Sequence, residues 1–139
     1  MLIASDRLCY EYEVDTISTG VTIAFAMELY ERGILKLSET DGIKLNFGNH
    51  QNAIKIIQLM AYRIGIGKIF ADGTREAAKR IGHSSEKYAL HVKGLELPAY
   101  DVRGAKAHGL NYATSYTGVD HNRGYAFQEI FFYTCPLPC

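Results

Sequence analysis

Between Gly118 and Gly124 the chain reads Val119-Asp120-His121-Asn122-Arg123, an acid, an imidazole, an amide and a guanidinium inside one glycine-bracketed turn. A histidine near its free pKa of about 6.5 exchanges a proton at neutral pH, which makes His121 a candidate acid or base. The flanking glycines allow the backbone to fold closely around a ligand. Asp120 can tune the imidazole, although adjacent side chains often point apart. On residue types alone, an exposed loop histidine remains the alternative.

A second polar group, Asp15 with Thr16, Ser18 and Thr19, gives one carboxylate and three hydroxyls at the start of an apolar run. Plain N-capping explains such residues. A polar ligand held by these side chains and the free amides, a pterin or a phosphate, also explains them. A carboxylate acceptor suits a ring rich in N–H donors better than it suits a phosphate. The catalytic candidate is therefore His121, and the ligand-binding candidates are Asp15 and Thr16.

Other motifs are weaker. "GIGK" at 65–68 lacks the longer turn of a phosphate loop and is followed by Ile69 where a Ser or Thr is needed, so a helix end running into a new helix is expected. His50, His83, His91 and His108 show no metal-ligand spacing and are expected to be structural or exposed. Cys9, Cys135 and Cys139 form no disulfide pattern, and the Cys-x3-Cys pair alone is a poor metal signal.

These residues need a scaffold, and the periodicity supplies a mainly α one: an irregular multi-helix bundle with short extended segments. The run "DTISTGVTIAFAMELYERGIL" is expected to form the first helix, capped by Asp15 or Thr16, apolar nearly all round and closed by Gly33. Ile43, Leu45 and Phe47 alternate with Lys44 and Asn46, which predicts a short extended piece. Asn49 is expected to cap a helix near 51–64, ended by Gly65, with Ala53, Ile54, Ile57, Met60, Ala61 and Ile64 on one face. Two short helical pieces follow, punctuated by Gly67 and Gly73, the second capped by Gly82. Residues 93–109 read as extended and irregular around Pro98. Residues 105–116 are expected to form a helix weakened by Gly109, and "YAFQEIFF" to start another.

Bulk properties exclude several roles. Hydrophobic residues make up 47% of the 139 and charged residues 22%, a globular composition sufficient for one ordinary core. Fifteen basic residues balance fifteen acidic ones, leaving no basic stripe for nucleic acid or an anionic membrane. No run is long and apolar enough to span a bilayer, and the acidic N-terminal stretch does not suit a signal peptide, so a cytoplasmic location is expected.

Taken together, "DTISTG" (15–20), "FAMELYERGIL" (25–35), "GIGKIFADGTREAAKRIG" (65–82), "VKGLELPAYDVRGAKAHGLNYATS" (92–115) and "GVDHNRGY" (118–125) occur in an order and spacing that resembles the tungsten-containing aldehyde ferredoxin oxidoreductase family, over about residues 9–130. The resemblance implies an internal piece of the two helical domains, with residues 18–88 forming a sub-domain inserted between 1–17 and 89–130. It implies aldehyde oxidation to carboxylic acids, a tungsten bis-pterin of molybdopterin type, a 4Fe-4S cluster, and ferredoxin as electron acceptor. Asp15 then matches the terminal acid of the family's Asp-x-x-Gly-Leu-Asp pterin-binding pattern, with Tyr10, Glu13 and Val14 at the first Asp, the Gly and the Leu. His121 matches a histidine near the metal, with Thr117, Val119 and Asp120 departing from the usual loop. The family's cluster cysteines and active-site glutamate lie outside the matched region, so the isolated chain is expected to be inactive and to bind no cofactor by itself. Residues 131–139 leave the resemblance and are expected to be an aberrant tail from a frameshift or truncation. The alternative role is a non-catalytic helical binding or assembly module, or truncated pseudo-enzyme, that self-associates through exposed apolar surface.

Overall fold

The structure is a computed structural model that describes residues 2–99 and 101–120 together with Asn122 and Gly124. It is mainly α, as the periodicity implied. Helix α1 (Leu2–Glu11) precedes the run expected to be first. It carries no acidic residue in its first turn and buries only Cys9 completely, so neither a charge signal nor an apolar face marks it. It closes through Val14 N–H to the Cys9 carbonyl (2.9 Å) and Glu13 N–H to the Tyr10 carbonyl (3.2 Å), with Glu13 at φ 54°.

Helix α2 (Thr16–Glu31) begins where Asp15 accepts from the Ser18 N–H at 2.6 Å. It ends at Gly33, φ 72°, whose left-handed backbone lets Ile34 N–H reach the Leu29 carbonyl at 2.9 Å. Ile23, Phe25, Met27 and Leu29 are buried along it; at about 1.5–3 kcal/mol each they anchor the core. α2 touches every other helix of the N-terminal two-thirds and the small hairpin described below.

After a 3-10 turn (Leu37–Glu39), Ile43 and Leu45 are buried while Lys44 and Asn46 are exposed. The alternation is real, but no strand among the described residues pairs with it. Side chains satisfy the backbone instead: the Lys44 carbonyl accepts from Asn52 Nδ2 at 2.7 Å, and Thr40 Oγ1 donates to the Ile43 carbonyl at 2.8 Å. Phe47, expected on the same inward face, is exposed.

Helix α3 (His50–Ala61) is capped by Asn49, which accepts from Asn52 N–H at 3.2 Å. It buries Ala53, Ile56, Ile57 and Met60; Ile54 and Ala61 are half-buried and Ile64 is exposed beyond the helix end. The closing left-handed residue is Arg63, φ 53°, two residues before the expected Gly65. Helix α4 (Gly67–Phe70) follows at once, so "GIGK" is a helix-to-helix turn. A Cβ at Gly67 would overlap the Leu59 carbonyl, so this glycine serves close helix approach. Helix α5 (Gly73–Ile81) ends at Gly82, φ 68°.

Strands β1 (His91–Val92) and β2 (Leu95–Glu96) pair antiparallel, His91 opposite Glu96 and Val92 opposite Leu95. Lys93 and Gly94 both have positive φ (57° and 95°), the geometry of a tight primed hairpin turn. Helix α6 (Lys106–Thr114) occupies the expected span. Lys93 Nζ donates to the Ser115 carbonyl at 2.8 Å and the Tyr116 carbonyl at 3.3 Å, tying the hairpin tip to the end of α6. The helix expected from "YAFQEIFF", the tail 131–139 and His121 lie outside the described residues.

Candidate functional site

The N-terminal half of α2 and its cap carry a line of polar residues. Asp15, Ser18, Thr19 and Thr22 are spaced i, i+3, i+4 and i+7, which puts them on one face. They line a cleft of about 390 Å³ whose far side is Asp72, Gly73, Gly94 and Glu96 and whose wall includes Ile57, Met60 and Phe70. Thr22 is 1% exposed and its Oγ1 has no hydrogen-bond partner among the described residues.

The two remaining carboxylates of this cleft differ. Asp72 is held by Arg63 Nη2 at 2.6 Å and by Arg80 Nη2. The two guanidiniums, Arg63 first, hold its carboxyl down at about 2, below the ordinary 3.8. Glu96 is only 4% exposed, and no Lys or Arg lies within ion-pair distance of it among the described residues. Its Oε1 accepts from Thr74 N–H at 2.7 Å and Thr74 Oγ1 at 3.2 Å, at the start of α5. A Cβ at Gly73 would run into that oxygen, so the glycine is what admits the carboxylate to the helix end.

A smaller hollow of about 150 Å³ adjoins, lined by Asp15, Ile17, Ser18, Leu95, Glu96, Pro98, Val119 and Asp120. Asp15, Ser18 and Glu96 are common to both. The residue immediately before His121 thus shares a hollow with Asp15, 105 positions earlier in the numbering. Asp120 turns the loop: its Oδ1 accepts from Asn122 N–H at 3.0 Å, and its carbonyl accepts from Asn111 Nδ2 at 3.1 Å. Thr16, one residue along from Asp15, faces elsewhere, lining an open cleft with Asp6, Arg7, Tyr10, Val14 and Asp15.

Sequence reasoning reached Asp15, Ser18 and Thr19 but missed Thr22 and Glu96. The i+7 spacing of Thr22 from Asp15 was the available signal. Nothing local marks Glu96, because its burial comes from the hairpin laying it against α2 and α5. Of the other histidines, His50 and His83 are exposed, His91 is half-buried, and His108 is fully buried on α6 with its ring centroid 5.4 Å from that of Tyr112. Among the described residues no group of three His, Cys, Asp or Glu can hold a metal ion. Cys9 is buried, and that burial pushes its thiol up, away from the thiolate a metal needs. Among the described residues the cleft presents carboxylate and hydroxyl oxygens beside an apolar wall.

No helix among the described residues is long and apolar enough to cross a membrane. Comparison with known proteins gives a match of residues 1–134 to the family model described as "Aldehyde ferredoxin oxidoreductase, domains 2 & 3". The chain is 43% identical over 125 residues to the tungsten-containing aldehyde ferredoxin oxidoreductase of Thermococcus kodakarensis, covering 89% of this chain and 20% of that protein. The protein of the same name in Pyrococcus furiosus gives 43% over 125 residues, again 89% and 20%. A P. furiosus "aliphatic sulfonate oxidoreductase, WOR-like subunit" is 41% identical over 117 residues, 80% of this chain and 19% of that protein. The chain thus spans about a fifth of the length of the curated relatives it matches. With all but its last few residues inside that family model, the chain belongs to the aldehyde ferredoxin oxidoreductase family.

Proposed function

We propose that this chain forms one helical wall of the cofactor and substrate cavity of an enzyme that oxidises aldehydes to carboxylic acids and passes the electrons to ferredoxin. The observation that carries this is the hollow shared by Asp15, Glu96 and Asp120, which brings the ligand-binding candidate beside the loop of the catalytic candidate. The reaction balances as aldehyde plus water giving acid, two electrons and two protons. When bound, a tungsten bis-pterin with a 4Fe-4S cluster supplies the redox chemistry.

This chain's own residues do the rest. Asp15 spends Oδ1 on the Ser18 amide and offers its other oxygen to the N–H edge of a pterin. Thr16 borders the neighbouring open cleft and offers a hydroxyl there. His121 holds or releases a proton at the carbonyl oxygen of the substrate. Alone, the 139 residues turn over no aldehyde, since they correspond to a fifth of the relatives' length. Elemental analysis of material captured through this chain from its native host tests the reading. Tungsten together with iron is expected; a chain recovered with neither metal in any fraction overturns it.

One observation favours a second role, as an assembly module. An apolar groove of about 650 Å³ runs between α1, α2 and α3, lined by Leu2, Ile3, Ile23, Met27, Phe47 and Ile57 among others. Leu2 and Ile3 are 81% and 87% exposed. Such a surface favours self-association.

A further inference from the structure

The two glycines that bracket Asp120 and His121 lie against the protein's own groups. Gly118 has φ 100°, and a Cβ there would overlap the Val92 carbonyl of β1. A Cβ at Gly124 would overlap the side-chain amide of Asn111 on α6. The same amide donates through Nδ2 to the Asp120 carbonyl at 3.1 Å. Asn111 therefore touches the chain one residue before His121 and three residues after it. Asp120 completes the turn: its N–H donates to the Gly118 carbonyl at 2.9 Å, and its Oδ1 accepts from Asn122 N–H at 3.0 Å. Val119, 4% exposed, seats the turn in the hollow beside Leu95 and Pro98. Asn111 is half-buried on a helix fixed by His108 and Tyr112, which are 0% and 2% exposed. Asparagine is a poor helix former, and its amide is used here outside the helix that carries it.

We propose that Asn111 is a positioning residue for the His121 turn, its amide holding the Asp120 carbonyl ahead of the imidazole and stopping the Gly124 backbone behind it. The proposal rests on the reading above that His121 moves a proton at the substrate carbonyl, and names what fixes that group. Proton transfer needs donor and acceptor within hydrogen-bond reach, and a misplacement of about 1 Å costs on the order of 100-fold in rate. A turn bounded by glycines does not hold that tolerance by itself. A planar amide on a packed helix does, since its donor and its acceptor are fixed in one plane.

The full 139-residue chain is labelled with nitrogen-15 and with carbon-13 histidine, and its magnetic resonance spectra are recorded; the ring signal lost in His121→Gln assigns His121. In wild type that signal is expected away from the free-histidine position, with the Asn122 amide protected from exchange. Asn111→Asp keeps the shape and turns the donor into an acceptor. It is expected to move the His121 ring signal towards the free position and to speed Asn122 exchange about tenfold or more, with the α6 amides unchanged. Gly124→Ala presses on the same amide from the other side and is expected to move the same two signals. Should Asn111→Asp unfold by circular dichroism, Gly124→Ala decides. The proposal falls if the wild-type ring already sits at the free position, if neither variant moves it, or if the α6 amides lose protection with it, which is the mark of a residue that merely supports its helix. Material captured through the chain from its native host separates this proposal from the reading beneath it. There Asn111→Asp is expected to keep the metal content and the KM for aldehyde and to lower kcat about tenfold or more. Metal and kcat both at wild-type values overturn the positioning role and leave the His121 reading standing; wild type recovered with neither metal takes both down.

Discussion

Glu13 sits at φ 54°, in the left-handed region that favours glycine. Its backbone closes α1, and a non-glycine residue pays about 1 kcal/mol for that conformation. The Glu13 side chain is exposed and forms no hydrogen bond or ion pair among the described residues. Arg63 has a similar φ, 53°, but its guanidinium binds Asp72 at 2.6 Å. Glu13→Gly is therefore expected to raise stability by about 1 kcal/mol, read as a higher urea midpoint at unchanged slope; no gain would show that the side chain has a use on the surface. At this scale Asp15 was legible because capping leaves a local signature. Thr22 and Glu96 were not, because an unpaired buried oxygen exists only once other elements surround it.

Between elements, the Asp72 carboxylate clamps the end of α3 to α5 through Arg63 and Arg80. Its pKa falls to about 2 from 3.8, so the clamp's contribution is complete above about pH 4 and is lost as pH falls through about 2. Asp72 is partly exposed, so the contribution is modest. A thermal melt series from pH 5 to 2 should show a falling midpoint, and Asp72→Asn should flatten part of that fall; an identical pH profile for the variant would remove the clamp from the account. Helices α2, α3 and α5 were legible because caps, apolar faces and terminal glycines agree there. α1 was not, since a single buried residue leaves no periodicity. Residues 43–47 show the limit of alternation as a signal: it reports which side chains are buried, and says nothing of whether a neighbouring strand exists to complete a ladder.

Across the whole molecule, the buried cluster runs from Cys9 to Ala78 around α2, with Phe25 edge-on to Phe70 at 6.5 Å between centroids. The groove along α1 lies on the outside of this cluster and keeps Leu2 and Ile3 in solvent. If that groove joins two copies, replacing both residues with serine should shift the light-scattering mass towards one chain, with little effect on the melting temperature; an unchanged mass would assign the groove to another partner. Lys93 adds a consequence of a different kind. One primary amine, near the tip of a two-residue turn, holds the two carbonyls that lead into the segment carrying Asp120. It is exposed, so an acylating reagent can reach it, and an acylated amine loses its charge and two of its donor hydrogens. Lysine chemistry at the hairpin tip would therefore loosen the turn that follows α6, and the acylation rate of this amine becomes a reporter of whether that turn is taut.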